Sequence, residues 1–543
     1  MREEQPATND RPPTTDDSQP GVPGGEAEAG SFVVRPSSFV LRRSSVVVRP
    51  AIWVALLLLA VYLLCTGGQP FISDGEVMLI TSMRMVDERT VSLPEGAAIY
   101  PQTVRRSDGY VFSKYAPGQP LAAAPLYALG RYAVGRAIGA GASAFYVGRF
   151  FALLLPALAT ALTGGLLCAW ASALYRSTRM GAALGLLYGL GTLAWPYSRF
   201  FFSEPLFTAC LALAALAIRS RRPLLAGLAL GYAVFTRVGG AALLPAFVLY
   251  VWLTCADERP ATNDQRRVSS WSLGVGRRPV VLRQFLWMAL GGLPFALALL
   301  AYNWVRFRTL AEQGYANEGF TGNLLEGLYG LLLSPGKSVF LYVPLLLALP
   351  WAIAPFARRH RPEAALIGAL AAITLAQSAL WWIWWAGWGW GPRFLVPLMP
   401  FLTLMLGALL QRRAWRYAIG LLLLPLSMLV NLLGILVDFN PYLIELTHGD
   451  MAREAIYLYQ PAFSPILAHL RRLDLGSVPI VSFALDDPRL GFPQPWAALV
   501  SASFAVLLAV SIIGIWRSVR ETQRRRGVGL GEGEALRKTP PTT

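Results

Sequence analysis

Apolar runs close to the roughly 20 residues that span a bilayer recur along most of this chain, and the segments between them are mostly short and rich in arginine. They predict membrane-spanning helices near 51–67, 146–174, 180–195, 204–218, 223–236, 239–255, 285–304, 338–356, 363–385, 393–411, 416–437 and 496–516. About twelve helices make an all-α polytopic membrane protein, with interfacial helices expected in the large first loop. Residues 1–49, the loop 256–283 and the tail after Arg517 are polar and read as disordered. The first apolar run follows a long polar tail and lacks a small-residue cleavage site, so it is expected to stay as an anchor. The organisation expected is a tail over 1–49, a transmembrane body over 50–437 holding the loop 68–145, a small segment 438–495, a last helix 496–516 and a basic tail 517–543.

Composition agrees with this pattern, because 543 residues at 55% hydrophobic and 15% charged would not need so many apolar runs for one soluble core. A net charge of +17 invites a nucleic-acid partner, and the placement of the arginines argues against one. Arg42-Arg43, Arg221-Arg222, Arg358-Arg359, Arg412-Arg413 and Arg524 to Arg526 fall on one side when twelve spans are threaded in order, which is the positive-inside pattern. Both termini are then cytoplasmic in a multi-pass plasma-membrane protein, and no nucleic-acid partner is expected. Loops 68–145, 196–203, 305–337, 386–392 and 438–495 fall outside. The four cysteines and three histidines lie apart, so neither a disulfide, a zinc site nor a histidine triad is expected.

Four pieces of the outer segments carry candidate chemistry. Ser73-Asp74-Gly75-Glu76 follows the first span, and carboxylates beside a membrane are costly unless they are solvated or functional, so they read as helix caps or as catalytic acids. At helical spacing Asp74 and Glu76 point to different faces, which makes one central and the other supporting. Next comes Phe112-Ser113-Lys114-Tyr115-Ala116-Pro117-Gly118, where a lysine among aromatics suits either snorkelling or a lipid-linked phosphate. Arg199 to Pro205 then puts a cation and an acid, Glu204, at one membrane edge. In Trp381 to Phe394, Trp381, Trp382 and Trp384 read as an interface belt. Trp388 and Trp390 instead alternate with glycines beside Arg393, which suits a stacking surface and a guanidinium that grips phosphate oxygens.

In this order and on one side, the pieces resemble the GT-C glycosyltransferases, in the branch of protein O-mannosyltransferases and lipid A aminoarabinose transferases (bacterial glycosyltransferase family 39-like). Tyr302-Asn303-Trp304-Val305-Arg306-Phe307 and Gly330 to Gly336 also look like bacterial members of that group. The resemblance covers roughly residues 50–440. It implies a GT-C-like fold and an enzyme that passes a sugar, with inversion, from a polyprenyl-phosphate donor in the membrane lipid to a glycan, lipid or protein acceptor outside. Asp74 matches a general base, Lys114 a donor-phosphate contact and Glu204 a second acid. The family pattern has two adjacent acids where this chain has Asp74-Gly75-Glu76, so either Glu76 keeps a supporting role or Asp74 alone is retained. The expected site is Asp74, Glu76 and Glu204 for catalysis, Lys114, Arg393 and Arg199 for the donor phosphate, and Tyr115, Trp388 and Trp390 for sugar or acceptor. No cofactor is required by this chemistry, although Asp74, Glu76 and Glu204 could bridge a divalent cation, Mg or Mn. A transporter or flippase of lipid-linked sugars is the alternative. It predicts ionisable residues at mid-membrane, whereas most charged candidates here collect at the outer edge.

Overall fold

The computed structural model describes residues 38–68, 72–139, 141–256, 278–315, 318–474, 488–490 and 494–537. Most of the tail expected before residue 50, most of the loop 256–283 and part of the segment 438–495 lie outside the described residues. What is described is an all-α membrane fold with one small sheet.

Every predicted span meets a helix, but among the described residues seven are long and apolar enough to cross a membrane. They are Ala144–Leu174, Val238–Cys255, Pro279–Phe307, Arg361–Leu380, Arg393–Leu410, Arg413–Leu436 and Ala498–Thr522. The other predictions meet shorter pieces, α1 (Ser38–Leu64, apolar from Val48), Thr178–Gly191, Glu204–Arg219, Pro223–Thr236 and Leu349–Arg359. Proline accounts for one of the breaks. The run predicted over 338–356 divides into Val339–Tyr342, a 3-10 turn Pro344–Ala348 and Leu349–Arg359, because Pro344 has no N–H to continue the ladder. The helix predicted to reach 385 stops at Leu380. At the other extreme, the last helix runs Gln494–Arg537, so much of the tail read as disordered has helical backbone. Once a span has nucleated a helix, each further residue adds a hydrogen bond for one residue fixed, and the arginines that follow are good helix formers.

Burial sorts the spans. The apolar window of Arg393–Leu410 is 78% buried and that of Ala144–Leu174 72%, so both are central, whereas Pro279–Phe307 at 11% lies at the rim. That rim helix is held by close backbone approach, since a Cβ on Gly227 would lie 2.0 Å from the Met288 carbonyl oxygen.

The first loop folds into α2 (Ser73–Asp87), strands β1 (Ser92–Leu93), β2 (Thr103–Arg105) and β3 (Val111–Ser113), and α3 (Gly118–Ala128). The sheet order is β1-β3-β2, antiparallel throughout, with Ser92 opposite Phe112 and Thr103 opposite Ser113. Strands of two or three residues are too short to show alternation, so the sequence pattern predicts none of them.

Contacts group the connecting segments as the arginine threading does. Asp74 meets Arg393, Lys114 meets Glu318, and Glu454 meets Trp388, which joins loops predicted to share one side. On the opposite set, Arg219 meets Glu363 and Arg359 meets Gln411.

Candidate active site

Helix α2 follows Ile72, and no side chain caps it, so Asp74 and Glu76 occupy its first turn without serving as caps. Their partners diverge as the helical spacing predicts. Asp74 Oδ2 accepts from Arg393 Nη1 at 2.9 Å, and its Oδ1 accepts from Gln102 Nε2 at 3.0 Å. Glu76 faces away into the fork of Arg149, at 2.9 and 2.7 Å.

Glu204 opens the helix Glu204–Arg219 just ahead of Pro205, where the free backbone donors of a first turn favour a carboxylate. It is 1% exposed and pairs with Arg237. Arg393 Nε lies 3.4 Å from its Oε1, an ionic contact without a hydrogen bond at that nitrogen. Phe202 lies under the same guanidinium, 4.3 Å from its carbon to the ring centroid. Asp74, Glu204, Arg393 and Arg237 thus form a network of two acids and two guanidinium groups. Balanced charge is what allows such groups to leave water, because each lone member would carry a desolvation cost of several kcal/mol.

Strand β3 delivers Lys114. The Lys114 amide donates to the Gln102 carbonyl at 3.0 Å, and Arg306 donates to the carbonyls on either side, Ser113 at 2.6 Å and Tyr115 at 3.2 Å. Gly118 allows the following turn to press on the helix Pro223–Thr236, since a Cβ there would lie 2.5 Å from Thr236 Oγ1. The Lys114 ammonium pairs with Glu318 and lies 5.6 Å from the ring centroids of both Tyr115 and Tyr315. It is therefore a framed, ion-paired cation and not a snorkelling lysine. Burial, reinforced by the charge of Asp74, raises the pKa of the Tyr115 hydroxyl well above its usual value, so it stays a hydrogen-bond donor beside Asp74.

Three expected members stand elsewhere. Arg199 donates to the carbonyl of Ile435, tying its loop to the helix Leu424–Leu436. Trp390 is 1% exposed, packed edge-on to Tyr342 at 5.1 Å and 4.5 Å from His469. A Cβ on Gly434 would strike its ring at 2.6 Å, so the chain itself occupies the faces expected to stack on a sugar. Trp388 is half-buried and donates its indole N–H to Glu454 at 2.8 Å. Of the three acids that could bridge a divalent cation, Asp74 and Glu204 have Arg393 between them, and Glu76 faces Arg149. Among the described residues no three acidic, histidine or cysteine side chains gather as a metal site.

Arg237, Arg306, Lys337 and Glu454 were not expected. One signal points to the two arginines: both lie at the outer end of an apolar run, against the positive-inside pattern that accounts for the other clusters. Lys337 follows directly on the Ser334-Pro335-Gly336 motif, and Glu454 has no comparable mark.

No protein-family model and no curated protein matches the chain. Among solved structures it is similar to the crystal structure of ArnT from Cupriavidus metallidurans bound to undecaprenyl phosphate, at 17% identity and a TM-score of 0.43, over 94% of this chain and 82% of that one. The apo state of the same ArnT gives 17% identity and a TM-score of 0.43, over 91% and 80%. Likeness at this level assigns no residue and no substrate to the chain.

Proposed function

We propose that this chain is a GT-C-like membrane glycosyltransferase that moves a sugar from a polyprenyl-phosphate donor to an acceptor hydroxyl on the extracytoplasmic face, with both termini cytoplasmic. The observation that carries the reading is the meeting of Asp74, Tyr115, Glu204 and Arg393, which come from the four separate motif pieces, at one place. In this mechanism Asp74, oriented by Arg393 and Gln102, takes the proton of the acceptor hydroxyl as its oxygen forms a bond to the anomeric carbon. The bond from that carbon to the phosphate oxygen breaks, and its electron pair leaves with the lipid phosphate. Lys114, framed by Tyr115 and Tyr315, stabilises the charge that develops there. Glu204 keeps Arg393 and Arg237 aligned behind Asp74.

The test is a panel of polyprenyl-phosphate sugars offered to the purified protein in nanodiscs, with release of the lipid phosphate as readout. One donor is expected to turn over with the native chain and not with Asp74→Asn. Saturable movement of a lipid-linked sugar across proteoliposomes, with no donor turned over, would replace the enzyme by a flippase.

A further inference from the structure

The segment from Trp385 to Pro392 has no regular helix and bends through three left-handed residues, Ala386 (φ 62°), Gly387 (φ 64°) and Gly391 (φ 66°). For Ala386 that backbone is costly, so the shape has to be imposed from outside the segment. Two buried side chains do so, from opposite chemical directions.

Lys337, 2% exposed, donates from Nζ to the carbonyls of Gly387 at 3.1 Å, Gly389 at 3.0 Å and Gly391 at 3.2 Å. Glu454, 6% exposed, accepts the indole N–H of Trp385, that of Trp388 at 2.8 Å and the hydroxyl of Tyr457 at 3.1 Å. The two clamps belong to adjoining pieces. A Cβ on Gly336 would lie 2.4 Å from the Tyr457 carbonyl oxygen, and the Gly336 amide donates to the Leu458 carbonyl at 3.3 Å. Arg393 follows directly, its amide bonded to the Gly391 carbonyl at 3.1 Å. Lys337 therefore holds the same carbonyl from which the Arg393 backbone is hung.

We propose that Lys337 and Glu454 are positioning residues which together fix the 385–392 segment and so set the guanidinium of Arg393 between Asp74 and Glu204. The piece of chain around Glu454 is then a working part of the site. The consequence for sugar transfer rests on the function proposed above, whereas the clamp itself does not.

The experiment uses the full chain in nanodiscs and labels arginines with phenylglyoxal, with peptide mass spectrometry reading Arg393 directly. Lys337→Met and Glu454→Gln are compared with the native chain and with Glu445→Gln, which alters an exposed ion pair to Arg472. Glu454→Gln keeps one acceptor oxygen and the side-chain shape, so it covers the case in which Lys337→Met does not fold. Labelling of Arg393 is expected to rise about fivefold in each folded variant, with Glu445→Gln at the native level. Native-level labelling of Arg393 in folded Glu454→Gln overturns the clamp. In the transfer assay the same variants are expected to lose turnover by about tenfold or more. Failure of the native chain to turn over any donor counts against the enzymatic reading, and the Arg393 labelling still decides the clamp.

Discussion

Arg393 Nη1 reaches Asp74 Oδ2 at 2.9 Å across 319 positions of sequence, and the same guanidinium lies 3.4 Å from Glu204. Both partners in the first pair are largely withdrawn from solvent, at 12% and 15% side-chain exposure. Removing one member leaves an uncompensated charge in a poorly hydrated place. Arg393→Ala is therefore expected to destabilise the protein by about 3–5 kcal/mol, read as a lowered Tm in nanodiscs. Arg393→Lys keeps the charge without the planar fork and is expected to cost less.

Asp74→Asn preserves shape but takes the charge from the pair with Arg393, so a loss of about 1–3 kcal/mol is expected in thermal melts while sugar transfer falls by about 10²–10⁴ in the folded protein. Full transfer by a folded Asp74→Asn protein would pass the role of base to Glu204.

Glu76→Gln separates the two acids. The fork from Arg149 loses its charge assistance, so thermal melts are expected to report a loss of about 1–3 kcal/mol with transfer near native. A large drop in transfer at unchanged Tm would instead put Glu76 in the chemistry.

Trp390→Ala opens a cavity beside Tyr342 and His469 and is expected to cost about 3–5 kcal/mol. Donor KM should not move in a preparation that remains folded, because the ring offers no face to a substrate. A raised KM at native Tm would return Trp390 to the binding surface.

Lys337 supplies a pH test. Burial lowers its pKa to about 7, with Glu454 opposing the shift and Arg393 adding to it. In the unfolded chain the amine stays protonated up to about 10.4, so between pH 7 and 10 the unfolded state binds more protons than the folded one. That component of stability is full above the unfolded value and is lost as pH falls through about 7. The Tm of the native chain is expected to gain from this component as pH rises across the window, and the gain should be absent from Lys337→Met. Parallel profiles for the two proteins would show that Lys337 does not titrate there.

The amino-acid sequence by itself determined where the helices lie and which connecting segments belong together. Apolar run length and arginine asymmetry are properties of short stretches of chain, and each is readable without knowing what packs against it. It also marked Asp74, Lys114, Glu204 and Arg393, since charge at a membrane edge needs a reason wherever it stands. Strands of two or three residues, the helix breaks near Pro344 and the helical tail beyond Arg517 were less legible, because competing local preferences are close in energy there. Partnership was decided only by the tertiary structure. Glu76 and Asp74 are two positions apart, yet helical phase sends one to Arg149 and the other to Arg393. Trp388 and Trp390 share a motif, yet one reaches Glu454 and the other fills the core against Gly434. Lys337 meets the glycine carbonyls 50 to 54 positions away, and Glu454 meets Trp388 from 66 positions on. Such contacts depend on how whole helices rotate and dock, which no local pattern encodes.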